Sequence, residues 1–193
     1  MAFDMKAKKK ELLTVKHPLC NAAERLKVAY ATGVALLMAR ADDHESMMDG
    51  EREALETLVY ALDLPAEMTV EIIANVRHID TDIVDVIVNV LETEEQKLLF
   101  LLDLYRAANS DKDFSAPEKV MINDFVEVLK MEKWRDFIAS FWSALESKDC
   151  AKANTLVQAV IEGGMEPNIG HLQYFMPEFK YEEIIEGFGF GAW

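Results

Sequence analysis

The sequence has few of the residues that break helices or bind metals through nitrogen and sulfur. Its 193 residues include five prolines, eight glycines, four histidines and two cysteines. Cys20 and Cys150 have no CxxC or Cys/His spacing around them, so we expect neither a disulfide framework nor a zinc knuckle. Two isolated thiols are typical of a reducing compartment, which favours a cytoplasmic protein.

Basic residues are scarce relative to acidic ones. Lysine and arginine number 20 against 35 aspartates and glutamates, which gives a formal charge of −15. Nucleic-acid-binding proteins normally present a basic face, so we expect no nucleic-acid partner and no docking on an anionic membrane. An acidic surface instead suits solubility, cations or a basic protein partner.

Long membrane-spanning runs are also missing. The stretch "RLKVAYATGVALLMARA" imitates a signal peptide, because Arg25 and Lys27 precede an apolar run that ends in Ala39-Arg40-Ala41. However, more than twenty residues precede it, and the run is too short and too polar at its flanks to span a bilayer. We therefore expect neither secretion nor direct membrane insertion.

Helical periodicity is present almost throughout the chain. Residues 18–41 carry apolar groups every three or four positions, which predicts a helix over that range. The stretch "DTDIVDVIVNVLE" is ambiguous, because its β-branched residues favour a strand. Thr81 between two aspartates resembles an N-cap, so a helix is predicted there. The predicted fold class is all-α.

A central buried helix is predicted for "QKLLFLLDLYRAAN", which is apolar on nearly every side. Asp103 lies inside it, and a buried carboxylate needs a partner. Arg106, one turn further on, or Arg40 is the expected partner in a structural ion pair.

Three regions are predicted along the chain. Residues 1–16 form a lysine-rich N-terminal arm, and residues 17–147 form the helical domain. Residues 148–193 add one more helix and a tail rich in glycine and aromatic residues, which is expected to pack on the domain. The alternative for this tail is a peptide that docks on a partner.

An internal repeat relates two parts of the domain, at about residues 17–91 and 92–147. Each contains an apolar helix, an acidic corner and an amphipathic helix, in "ALLMARADDHESMMDGEREALETLVYAL" and "FLLDLYRAANSDKDFSAPEKVMINDFVEVL". Asp42 aligns with Asp111 at an offset of 69 residues, and Glu51 aligns with Glu118 at an offset of 67. The first corner is therefore two residues longer than the second.

The two corners, "ARADDHESMMDGE" and "ANSDKDFSAPE", resemble the TerB family of tellurite-resistance proteins. In that family the corner commonly reads Ala-Asp-Gly, a few residues and then Glu. Asp43 and Lys112 stand where glycine is common, and Ser110 replaces the alanine. The resemblance covers about residues 20–147. It implies two pseudo-symmetric helical halves, a cytoplasmic location, and a role in tellurite resistance or stress response without a catalytic mechanism.

The corners supply the candidate metal ligands. Hard cations such as Ca²⁺ or Mg²⁺ take several oxygen ligands, largely carboxylates and carbonyls. The candidate ligands are the acids Asp42, Asp43, Glu45, Glu51, Asp111, Asp113 and Glu118. The alternative is that these acids only cap and solvate helix ends, because "SAPE" from Ser115 to Glu118 is a capping-box sequence.

Together these patterns predict a non-enzymatic, TerB-like interaction or sensing module. It would bind a protein partner that the sequence does not identify, and a divalent cation at the corners. Two alternatives stay open: a metal-dependent enzyme that uses the corner carboxylates, and a scaffold that binds partners through its C-terminal tail.

Overall fold

The computed structural model describes residues 16–41, 49–76, 82–109, 114–162 and 174–175. Within these ranges the chain is helical and contains no strand, which confirms the all-α class. The helices are α1 Glu24–Ala41, α2 Asp49–Ala61, α3 Glu67–Val76, α4 Asp82–Val90, α5 Glu94–Ala108, α6 Ala116–Val128, a 3₁₀ turn Glu132–Trp134, α7 Arg135–Ser147 and α8 Cys150–Glu162.

Two compact units divide the chain, residues 1–131 and residues 132–193. In the first unit α1 is central, because it packs against α2, α3, α4, α5 and α6. Its residues from Ala29 to Met38 are all buried, including Tyr30 and Leu37 with no exposed surface. The predicted limits of the domain, 17 and 147, remain predictions.

Helix α5 is the second buried element of this unit. Leu98 to Leu104 are all buried, as the apolar run predicts. A capping box fixes its start, since the side chain of Thr93 accepts the N–H of Gln96 and the side chain of Gln96 accepts the N–H of Thr93. This cap satisfies N–H groups that have no partner within the helix.

The first helix begins later than the periodicity predicts. The expected helix covers residues 18–41, whereas α1 starts at Glu24. Residues 17–22 form turns instead, in which the N–H of Cys20 bonds to the carbonyl of His17 and that of Ala22 to Leu19. Leu19 is nevertheless buried, so its apolar character reflects burial of a turn and not of a helix face.

Helix α4 confirms the helical interpretation of the β-branched stretch. It runs from Asp82 to Val90 and packs on α1. Gly33 of α1 allows a close approach, because a Cβ there would lie 2.8 Å from Ile87 Cδ1 and 2.8 Å from the ring of Phe100. Tertiary packing thus overrides the strand preference of the isolated segment. Thr81, the expected cap, lies outside the described residues.

The second unit contains the 3₁₀ turn, α7 and α8, and the two helices pack on each other. Its described core includes Ile138, Phe141, Ala144 and Ala153. Lys148 joins the helices in the left-handed conformation, with a φ of 54°. Of the predicted C-terminal tail, only Tyr174 and Phe175 are described, and both are buried.

Among the described residues, no helix combines the length and the apolar character that a membrane crossing requires.

Candidate functional site

The second acidic corner leads into α6 through the predicted capping box. The N–H of Glu118 bonds to Ser115 Oγ at 3.3 Å, and Glu118 Oε2 accepts the N–H of Ser115 at 2.7 Å. Pro117 lies in the first turn, where its missing N–H is no loss. The sequence therefore predicts this cap correctly. Asp111 and Asp113 lie outside the described residues.

The first corner leads into α2, which begins at Asp49. Glu51 lies in the first turn of this helix and is only 3% exposed. Its counterpart Glu118 lies in the first turn of α6 and is 4% exposed. Asp42, Asp43 and Glu45 lie outside the described residues.

The structure thus places two of the seven candidate ligands, Glu51 and Glu118, at equivalent helix starts. In both cases a carboxylate is buried in the first turn of a helix. Over the described ranges, no group of three or more His, Cys, Asp or Glu side chains is arranged to hold a metal ion. Since the other five candidates lie outside those ranges, the predicted cation site remains a prediction.

A buried polar cluster surrounds Asp103 in the core of the first unit. Asp103 Oδ2 accepts hydrogen bonds from Tyr30 Oη at 2.8 Å and His17 Nε2 at 3.0 Å. Arg106 Nη1 lies 3.7 Å from Oδ1, so the predicted Arg106 partner is present. His17 and Tyr30 have no exposed surface and Asp103 has 3%. The side chain of Arg40 lies outside the described residues.

The orientation of His17 is fixed by a backbone group. The N–H of Leu19 donates to His17 Nδ1 at 3.0 Å. Because Nδ1 accepts that bond, the ring proton lies on Nε2 and points at Asp103. The N–H of His17 itself bonds to the carbonyl of Ala61 at the end of α2. His17 therefore joins the turn before α1 to α2 and α5.

Two lysines make further contacts around this turn, Lys16 at the surface and Lys27 in a buried position. Lys16 pairs with Asp63, and its Nζ lies 5.3 Å from the ring centroid of Tyr60. The hydrogen bond between them, with a smaller effect of their charges, raises the pKa of Lys16 and lowers the pKa of Asp63. Lys27 Nζ donates to the carbonyls of Cys20 and Asp63 at 3.2 and 3.3 Å.

The sequence does not predict His17 or Tyr30 as partners of Asp103. His17 directly follows the lysine-rich arm and is 86 positions from Asp103, and no periodicity relates the two. The detectable signal is the aspartate itself, since a carboxylate in an apolar helix requires donors. That signal indicates that partners exist without identifying them.

An apolar groove lies between α2 and α3. Its volume is about 370 Å³, and its lining includes Val59, Tyr60, Leu64 and Val70. Tyr60 is 49% exposed and Val70 is 61% exposed, so two large apolar side chains of this groove face solvent. The sequence does not predict this groove, because it depends on the angle between two helices.

Comparison with known proteins gives no family assignment: no protein-family model matches the chain, and neither the curated proteins nor the solved structures gave a match. The resemblance to the TerB family therefore rests on the two corner motifs alone.

Proposed function

We propose that the protein is a non-enzymatic interaction or sensing module of the TerB type, and that its two acidic corners bind a divalent cation, Ca²⁺ or Mg²⁺. Its biological setting would be tellurite resistance or a related stress response in the cytoplasm. The free thiols of Cys20 and Cys150 are compatible with that compartment.

The observation that carries this proposal is the matched burial of Glu51 and Glu118. Each is a carboxylate with less than 5% of its surface exposed, and each directly follows an acidic corner. Ionised carboxylates are rarely this buried unless they are paired or hydrogen-bonded. Both carboxylates have partners within the chain, and one partner of Glu118 is the N–H of Ser115, which donates to Oε2. Capping does not explain why acids also precede both helices at Asp42 and Asp111.

The packing of the helices supports a shared site. The first helices of the two repeats, α1 and α5, pack on each other. Each of them also contacts the second helix of the other repeat, α1 with α6 and α5 with α2. A duplicated pair of helices related by a pseudo-twofold axis would make these reciprocal contacts. Under such symmetry, the equivalent corners could supply oxygen ligands to one ion.

A bound cation would offset the repulsion between the clustered acids. The protein carries a net charge of −15, so local neutralisation changes the surface that a partner meets. An ion that binds only the folded state also stabilises it by mass action. Both effects suit a sensing module, because binding of the ion would change the surface charge and the stability of the folded protein.

Calorimetric titration of Ca²⁺, Mg²⁺ and Mn²⁺ into metal-stripped protein tests the proposal. We expect saturable binding of at least one ion, and loss of that binding when Asp42→Asn is combined with Asp111→Asn. The matched control combines Asp85→Asn with Asp136→Asn, which removes the same charge from two exposed positions on α4 and α7. Equal loss in both double variants would indicate a diffuse charge effect and contradict the assignment to the corners.

A further inference from the structure

The groove between α2 and α3 combines open apolar side chains with an excess of acidic residues on the helices that form it. Val59, Leu64 and Ala66 contribute to its lining, while Tyr60 and Val70 are 49% and 61% exposed. Exposed apolar surface gathered in one groove is typical of a binding site, whereas single exposed residues are common everywhere.

Acidic residues dominate the two helices that form the groove. Residues 49–76 contain seven aspartates and glutamates, and Arg52 is the only basic residue among them. Arg52 and Glu56 both line the groove and pair with each other at 3.4 Å, so the excess of negative charge comes from the other acids of the two helices. Glu67 and Glu71 of α3 are exposed. An occupant with positive charge would therefore meet a complementary potential.

A lysine already occupies one end of this surface. Lys16 Nζ lies over the ring of Tyr60, and the same ammonium group pairs with Asp63 in the turn after α2. Tyr60 also lines the groove. The aromatic ring and the carboxylate together thus form a favourable environment for an ammonium group, through a cation–π contact and an ion pair.

We propose that the groove between α2 and α3 binds a lysine-bearing amphipathic helix of a partner protein. The apolar face of that helix would lie against Tyr60 and Val70, as in other complexes where a helix binds in a groove. Its lysines would face Glu67, Glu71 and the neighbouring acids. This inference rests on the interaction role proposed above, but it does not depend on cation binding at the corners.

Fluorescence anisotropy with a labelled synthetic peptide tests this site. The probe is an amphipathic helix of about 15 residues, with leucines at helical spacing and lysines on the flanks. Its twin carries glutamate in place of every lysine. We expect saturable binding of the lysine peptide and no binding of the glutamate peptide. The full-length protein is used with a metal chelator, so that failure here leaves the calorimetric result on the corners unaffected.

Two pairs of variants locate the binding surface. Val70→Ser should weaken peptide binding by about tenfold, because Val70 contributes apolar surface to the groove. Val120→Ser is the matched control, since Val120 is similarly exposed at 60% but lies on α6. Glu67→Gln combined with Glu71→Gln should also weaken binding, whereas Asp136→Asn combined with Glu146→Gln on α7 should not.

Three results would overturn the proposal. The first is no binding of the lysine peptide. The second is an equal loss of peptide affinity in the groove variants and their controls. The peptide would then be attracted by the net charge of the protein alone. The third is a dimer in sedimentation velocity that Val70→Ser dissociates, because a second copy of the chain would then be the occupant.

Discussion

Asp103 accepts hydrogen bonds in the core of the first unit from two side chains, His17 and Tyr30, that have no exposed surface. Tyr30 Oη and His17 Nε2 both donate to the same oxygen, Oδ2. Such a cluster is costly to disrupt, because the donors that remain cannot reach water. The cluster also positions the turn that precedes α1.

Replacement of Asp103 should therefore destabilise the protein strongly. We expect Asp103→Ala to lower the free energy of unfolding by about 3–5 kcal/mol, because two buried donors lose their acceptor. Tyr30→Phe removes a single hydrogen bond and should cost about 1–2 kcal/mol. Urea denaturation of both variants checks this, with the exposed Asp136→Asn as control. A loss below about 1 kcal/mol for Asp103→Ala would contradict the structural role of the cluster.

The exposed pair of Lys16 and Asp63 should give a small stabilisation that depends on pH. The pKa of Asp63 is lower in the folded protein than in the unfolded chain, where it is about 4. The stabilisation by the Asp63 carboxylate is therefore fully present above that unfolded pKa, and it is lost as the pH falls through the folded pKa. The pKa of Lys16 is higher in the folded protein than in the unfolded chain, where it is about 10.4. The stabilisation by the Lys16 ammonium group is therefore fully present below that unfolded pKa, and it is lost as the pH rises through the folded pKa.

Thermal melts of the wild type and Asp63→Asn measure the stabilisation by this pair. The melts cover roughly pH 3 to pH 11, a range that approaches the titration of both side chains. Asparagine tolerates the left-handed φ of 58° at position 63, so the backbone should not be strained. The difference in Tm should be constant near neutral pH and shrink at both extremes. Salt should reduce it, because both side chains are exposed. A difference that does not change with pH would contradict an electrostatic origin.

At the scale of the helices, the start of α6 has two separable functions, a cap and a candidate cation site. Ser115→Ala removes the cap and should lower the free energy of unfolding by about 1 kcal/mol. Thr93→Ala at α5, the other capping box among the described residues, should cost a similar amount. The control is Thr155→Ala, whose hydroxyl only donates to the carbonyl of Ala151 one turn earlier in α8.

This pair of caps also distinguishes capping from cation binding. If Ser115 only caps the helix, then Ser115→Ala and Thr93→Ala should lose the same stability in Ca²⁺ and in a chelator. A stability loss for Ser115→Ala that depends on the ion, with none for Thr93→Ala, would instead connect Ser115 to the site. Chemical denaturation in the two buffers measures the difference.

The close contact of α1 with α4 and α5 depends on Gly33. Alanine normally stabilises a helix relative to glycine by about 1 kcal/mol. At position 33, however, its Cβ would lie 2.8 Å from Ile87 Cδ1 and from Phe100, both of which are fully buried. Gly33→Ala should therefore destabilise the protein by about 1–3 kcal/mol.

A double variant tests whether the clash is the cause. Ile87→Val removes the Cδ1 atom that the new methyl group would meet, and alone should cost about 0.5–1.5 kcal/mol. The combination with Gly33→Ala should be more stable than the sum of the two single changes predicts. Additive losses in denaturation experiments would show that Ile87 does not limit the approach of α1.

The sequence predicted the elements whose signal is local. The apolar run of α5 and the capping box from Ser115 to Glu118 each follow from residues within a few positions of each other. Prediction from the sequence was wrong about the start of α1. Leu19 is buried in a turn, and its apolar side chain fits the helical spacing, so the predicted helix begins too early. The partners of Asp103 and the groove between α2 and α3 depend on tertiary packing, which periodicity does not encode.

The excess of acidic residues over the entire chain favours both a cation at the corners and a lysine-bearing partner in the groove. A net charge of −15 favours positively charged ligands. It also destabilises the folded state, because the acidic side chains repel one another. We expect the Tm to rise with NaCl, by about 2–4 °C for each 1 kcal/mol of repulsion that is screened. A Tm that stays constant or falls with salt would mean that ion pairs outweigh the net repulsion.

Divalent cations should act beyond this general screening if the corners form a site. At equal ionic strength, CaCl₂ or MgCl₂ should raise the Tm more than NaCl does, because binding to the folded state adds to screening. Asp42→Asn with Asp111→Asn should remove the extra rise and leave the NaCl response. Equal responses to all three salts in the wild type would argue for screening alone.

The number of ions bound per chain decides whether the two acidic corners form a cation site. Equilibrium dialysis of metal-stripped protein against millimolar Ca²⁺ or Mg²⁺, followed by elemental analysis, gives this number. A site shared by the two corners predicts one ion per chain in the wild type and none when Asp42→Asn is combined with Asp111→Asn. No bound ion in the wild type, or one that the double variant retains, would contradict a cation site at the corners.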